Sequence, residues 1–212
     1  MALLDYSLYV VTDEGLSFGR SHQEIAKQAV LGGATIIQLR DKERDALDLF
    51  HIAQDICAIT RPAGALCIIN DRLDIALGAG ADGLHLGQGD LPVAVARRLA
   101  PSPFIIGASV GSVLQAKLAE QDGADYVALS PVFSTGSKSD AGSGHGISML
   151  REIVHAVTIP VIGIGGITLS NLSELFDAGA CGVAVISAVV SAPDIEAAAR
   201  AMKEKIRLLQ SS

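Results

Sequence analysis

Arg40 and Lys42 stand in the stretch IIQLRDK, each two residues from its neighbour in the series Gln38, Arg40, Lys42. On an extended backbone alternate residues share a face, so these three side chains are expected to point the same way. A guanidinium and an ammonium held side by side repel each other unless an anion lies between them. The spacing is equally open to pairing with Asp41, Glu43 or other nearby acids. Two carboxylates pose the complementary question: Asp71 in IINDR and Asp90 in HLGQGD. They could serve as ion-pair partners for Arg40 and Lys42. They could also hold a hard divalent cation such as Mg2+, which one or two carboxylates usually bind while phosphates and waters complete the octahedron. Two acids, two bases and several hydroxyls together fit a metal diphosphate.

A second group of residues suits a phosphate. PVIGIGGI and GVAVIS bring Gly165, Gly166 and Ser187, where glycine lets backbone N–H groups approach an anion. FSTGSKSDAGSG, residues 133 to 144, has the composition of a linker but carries Thr135, Ser137 and Lys138 among its small residues. His85 in GLHLG can reach a pocket or serve as a hydrogen-bonded core histidine. Cys57, Cys67 and Cys181 sit singly in apolar stretches without metal-site spacing, as expected of reduced, buried thiols in the cytoplasm.

These residues must be positioned by the elements around them. Short β-branched runs alternate with helical periodicity along the whole chain. Strands are predicted at 8–13, 35–41, 66–71, 83–88, 104–110, 126–133, 160–166 and 182–190. Amphipathic helices are predicted at 21–31, 45–60, 112–121, 147–157, 170–178 and 194–209, with shorter segments after the third and fourth strands. The phrases LGGAT, GAGADG, DGADY and AGACG recur where a helix gives way to a strand, and glycine there supplies the left-handed cap. Strands apolar on both faces need cover on both, and eight βα units close most naturally into a (β/α)8 TIM barrel, a single domain over residues 1–212. A doubly wound open sheet is the alternative. In the barrel, polar residues collect at the carboxyl ends of the strands, where this fold places its chemistry: Gln38, Arg40 and Lys42, Asn70 and Asp71, Asp90, Ser109, Thr135 to Lys138, Gly166 and Ser187. FSTGSKSDAGSG then becomes a loop over the barrel mouth, with Ser139 to Gly144 as a lid.

Composition narrows the partners. Half of the 212 residues are hydrophobic and 18% are charged, enough for a large core. A net charge of −7 and an isoelectric point near 5.1 argue against a nucleic-acid groove. The first residues, MALLDYSLYVVTDEG, lack a basic leader and read as a first strand, and no apolar run suggests a membrane span. Small-molecule phosphates are the expected ligands, and a homo-oligomer is left open.

In order and spacing, YVVTD, QLRDK, NDR, DGLHLGQGD, GASV, GADYVALSPVFSTGSK, PVIGIGGI and GVAVISA resemble the thiamine-phosphate synthase family across nearly the whole chain. The resemblance implies a barrel that joins hydroxymethylpyrimidine diphosphate to a thiazole phosphate, releasing pyrophosphate. It implies that Gln38, Arg40, Lys42, Asn70, Ser109 and Lys138 contact the pyrimidine diphosphate, with Arg40, Lys42, Lys138 and Ser109 acting in catalysis. Asp71 and Asp90 would hold Mg2+. Thr135, Gly136, Ser137, Gly166, Ile186 and Ser187 would bind the thiazole phosphate. Ser137 replaces a frequent threonine and Ser130 a frequent glycine, neither touching the charge chemistry. A thiazole tautomerase-type relative, a Schiff-base aldolase using Lys42 or Lys138, and a non-catalytic precursor-binding barrel are the rivals.

Overall fold

The computed structural model describes residues 4–135 and 144–211. Eight parallel strands close into a barrel in chain order. They are β1 (Leu8–Val11), β2 (Ile36–Leu39), β3 (Leu66–Asn70), β4 (Gly83–Leu86), β5 (Ile105–Val110), β6 (Tyr126–Leu129), β7 (Val161–Ile164) and β8 (Gly182–Val185). Between and after them lie α1 (His22–Leu31), α2 (Ala46–Thr60), α3 (Leu73–Ala79), α4 (Val93–Leu99), α5 (Val113–Gln121), α6 (Gly146–Ala156), α7 (Leu172–Asp177), α8 (Ser187–Val190) and α9 (Ile195–Gln210). Closure by pairing of β1 with β8 rules out the open sheet.

Most of the predicted strands end earlier than expected, and the two largest differences, in β6 and β8, each have a local reason. β6 stops at Leu129, not at 133, because Pro131 has no N–H to continue the ladder. The run predicted as one strand over 182–190 divides after Val185, and Ser187–Val190 turns into α8. Its β-branched composition misled the period reading, since a short apolar run cannot be told from a buried helical turn.

The recurring GAT and GAD phrases have a second role beyond the cap. Gly33, Gly80, Gly123 and Gly179 adopt positive φ, as the left-handed turn requires. The polar residue that follows then ties down the preceding strand. Asp82 accepts from the Cys67 N–H at 2.8 Å, and Asp125 from the Ile106 N–H at 2.7 Å. Thr35 accepts from the Leu8 N–H at 3.3 Å. Three of the four phrases thus end one helix and also tie the new strand to the one before it.

The barrel interior is close-packed and satisfied: among the described residues no buried side-chain nitrogen or oxygen lacks a hydrogen-bond partner. Gly182 marks its tightest point, since a Cβ there would collide with the Tyr6 carbonyl. Gly182→Ala is expected to lower stability by about 1–3 kcal/mol, read as a reduced denaturation midpoint; an unchanged midpoint would show that the β1–β8 seam can yield.

Candidate active site

Arg40, Lys42, Asn70, Asp71, Asp90 and Ser109 line one pocket of about 350 Å³ at the carboxyl ends of β2 to β5. The extended alternation expected of Gln38, Arg40 and Lys42 does not hold, because β2 ends at Leu39. Gln38 lies inside the barrel, buried, and donates to the Tyr9 hydroxyl at 2.5 Å. Arg40 and Lys42 leave the strand on a loop and still reach the same pocket.

The open question about their partners is answered by distance. Neither pairs with Asp41 or Glu43. Arg40 lies 3.8 Å from Asp13 and Lys42 3.7 Å from Asp71, both beyond hydrogen-bond length. Asp41 is engaged elsewhere. Its Oδ1 accepts from the N–H groups of Glu43 and Arg44 at 2.9 and 3.1 Å, and its Oδ2 meets Arg44 Nε at 2.9 Å and His22 Nε2 at 3.2 Å. Burial works against ionisation of Asp41, but these hydrogen bonds hold its pKa below the ordinary value. The result is a folded loop that keeps Arg40 and Lys42 at the pocket, where each makes a long ion pair with another rim acid, Asp13 and Asp71 respectively.

Asp71 and Asp90 converge as the sequence suggested. Asp71 takes a left-handed backbone, φ 62°, which aspartate tolerates better than most side chains. Its N–H donates to the His85 carbonyl at 2.9 Å, fastening it to β4. Asp90 Oδ2 accepts from the Gly87 N–H at 2.6 Å. Burial, followed by the hydrogen bond to Asp90 and that group's negative charge, pushes the Asp71 pKa up to about 6. Lys42 and Arg40 pull it down without winning. A buried carboxylate disfavoured in this way beside a second one is what a divalent cation would relieve. The donor set is all oxygen, which fits Mg2+.

A second His/carboxylate cluster lies nearby: Glu14, His22 and Asp41 offer ligand atoms within 4.8 Å of one another. Arg44 already bridges Glu14 and Asp41, and His22 Nδ1 is committed to Thr12 Oγ1 at 2.7 Å. The cluster is compensated by its own cation and has the character of a loop anchor. Sequence reasoning missed it because its members come from separate elements; only the register of β1 and β2 brings them together.

A smaller cavity adjoins the first. Thr135, Gly166, Ile186 and Ser187 line it, and Ser130 and Pro131 face both pockets as a shared wall. Gly166 has φ 65°, and a Cβ there would press on the Ser134 carbonyl oxygen and Phe133. Asn171 Nδ2 donates to the Gly166 carbonyl at 2.9 Å, pinning the turn. Gly136, Ser137 and Lys138, and most of the segment expected to be a lid, lie outside the described residues. His145, which lines the first pocket, was not singled out from sequence.

A closed parallel barrel whose carboxyl face carries cations, paired carboxylates and a glycine-walled second cavity has the architecture of a TIM-barrel enzyme. The family model described as thiamine monophosphate synthase matches residues 8–189. The chain is 57% identical over 203 residues to the thiamine-phosphate synthase of Methanoculleus marisnigri, covering 96% of each. It is 59% identical over 199 residues to that of Methanoregula boonei, covering 94% of this chain and 92% of the relative. The solved thiamine phosphate pyrophosphorylase from Pyrococcus furiosus superposes with a TM-score of 0.90 at 40% identity, over 97% of this chain and 98% of that one. The chain belongs to the thiamine-phosphate synthase family, a family of transferases.

Proposed function

We propose that this barrel, as one domain, transfers the aminopyrimidinylmethyl group of hydroxymethylpyrimidine diphosphate to the nitrogen of a thiazole phosphate. The observation that carries the reading is the pair of adjoining cavities. One is lined by Arg40, Lys42, Asp71 and Asp90 and suits a metal diphosphate; the other is glycine-walled and suits a monophosphate. Mg2+ held by Asp71 and Asp90 would neutralise charge on the diphosphate.

The chain's own groups have three tasks. Arg40 and Lys42, with Lys138, stabilise the negative charge that grows on pyrophosphate as its C–O bond breaks. Asn70 and Ser109 orient the pyrimidine diphosphate. Thr135 to Ser137, Gly166, Ile186 and Ser187 hold the thiazole phosphate so that the nitrogen lone pair faces the electron-poor methylene carbon and forms the new C–N bond. No protein nucleophile takes part. Gln38, buried below the pocket, acts through Tyr9.

Among the described residues no helix is long and apolar enough to cross a membrane, and Cys57, Cys67 and Cys181 are free thiols. Both support a cytoplasmic enzyme acting on small molecules. Incubation with both precursors and Mg2+ should yield thiamine phosphate and pyrophosphate. Binding of both precursors without product would overturn the assignment.

Metal binding should depend on pH in a direction set by Asp71. Its folded pKa of about 6 lies above the ordinary value of 3.8. Between these values the folded protein holds more protons than the unfolded chain, so metal-free stability falls as pH rises through that window. The cation takes the proton's place. Mg2+ is therefore expected to raise the melting temperature more at pH 7 than at pH 5, and equal rises at both would contradict the site.

A further inference from the structure

A chain of hydrogen bonds crosses the barrel beneath the first pocket. Gln38 Nε2 donates to the Tyr9 hydroxyl at 2.5 Å, and the Tyr9 and Tyr126 hydroxyls lie 3.0 Å apart. Tyr126 meets His85 Nδ1 at 2.9 Å, and His85 Nε2 meets Ser109 Oγ at 2.9 Å. Five strands contribute one residue each. The crossing depends on a glycine: in the strand register His85 pairs with Gly107, and Gly107 with Tyr126. A Cβ at 107 would collide with the hydroxyl end of the Tyr126 ring, 2.0 Å from Cζ. Gly107 is the gap through which a β6 phenol reaches a β4 imidazole across β5.

The direction of the chain follows from counting protons. Burial raises the pKa of both phenols, so each keeps its single proton. Tyr9 accepts from Gln38, and among the described residues its own proton finds a partner only in Tyr126; the reverse order would leave a buried O–H unbonded. Tyr126 must then donate to His85 Nδ1. The imidazole is thereby the neutral Nε2–H form, and it donates to Ser109 Oγ. With its oxygen accepting, Ser109 has its own proton left to give.

We infer that His85 and Tyr126 are positioning residues that fix Ser109 as a hydrogen-bond donor into the pocket, aimed at an anionic oxygen of the diphosphate. The inference rests on the proposed transfer reaction for the identity of that anion. The imidazole tautomer does not depend on it.

The test is ¹⁵N NMR of the histidine-labelled full-length protein. His85 is expected as a single Nε2–H tautomer that Tyr126→Phe, which keeps the ring in the Gly107 gap, converts to a mixture. In the same variant, the affinity for inorganic pyrophosphate with Mg2+ should weaken about tenfold, with the KM for thiazole phosphate unchanged. An Nδ1–H tautomer in the unaltered protein, which needs no variant to detect, would overturn the inference. So would a Tyr126→Phe protein with unchanged tautomer and pyrophosphate affinity. Turnover of the unaltered protein, measured alongside, separates these results from failure of the synthase reading, which would abolish product while the His85 signal stays in place.

Discussion

Asp71→Asn is expected to lower turnover with Mg2+ by about 100- to 1000-fold, the scale of losing one group that stabilises developing charge, while making the metal-free protein more stable. The two effects have one origin. Asp71 is partly buried against Asp90, and its carboxylate is disfavoured there without a cation. An amide of the same shape removes the repulsion and also the charge that would hold the metal. Asparagine is the informative choice because it accepts the left-handed backbone at φ 62°, whereas alanine would add backbone strain of about 1–2 kcal/mol. A thermal melt without metal and an activity assay with Mg2+ give the two numbers. A fall in both would make Asp71 a structural residue; retained activity would move the metal elsewhere.

Arg40→Ala is the second large expected effect, again about 100- to 1000-fold on kcat/KM. Arg40 is mostly buried, with its side chain 17% exposed, and its nearest carboxylate partner stands 3.8 Å away at Asp13. A guanidinium held in this way keeps its charge available to a ligand. Lysine should restore only part of the loss, since a point charge cannot reproduce a bidentate fork on a phosphate. Full rescue by lysine would show that only the net charge of the rim matters. Arg44→Ala provides a contrast, because Arg44 pairs with Glu14 and Asp41 and reaches the pocket only through the shape of its loop. Its effect should appear mainly in KM.

The barrel was legible because its signals repeat: eight apolar runs, and glycine at each recurring helix-to-strand phrase. The clustering of Arg40, Lys42, Asp71 and Asp90 was legible because the fold sends strand ends to one face. Strand ends were generally read too long, most of all at Phe133 and Val190, where a proline and a helical turn intervene. What sequence could not show was the third dimension of the polar core. Nothing in the spacing of Gln38, Tyr9, Tyr126, His85 and Ser109 announces that they touch. Their contact depends on barrel closure and on one missing Cβ at Gly107. The Glu14–His22–Asp41 anchor was hidden for the same reason, being assembled across β1, α1 and β2.

That anchor also sharpens the decisive measurement, because it offers a cation a rival place. Crystals grown with Mn2+ in place of Mg2+ and with pyrophosphate should show one anomalous peak between Asp71 and Asp90, with pyrophosphate bridging it to Arg40 and Lys42. A peak at Glu14, His22 and Asp41, with Asp71 and Asp90 left bare, would contradict the account at its centre.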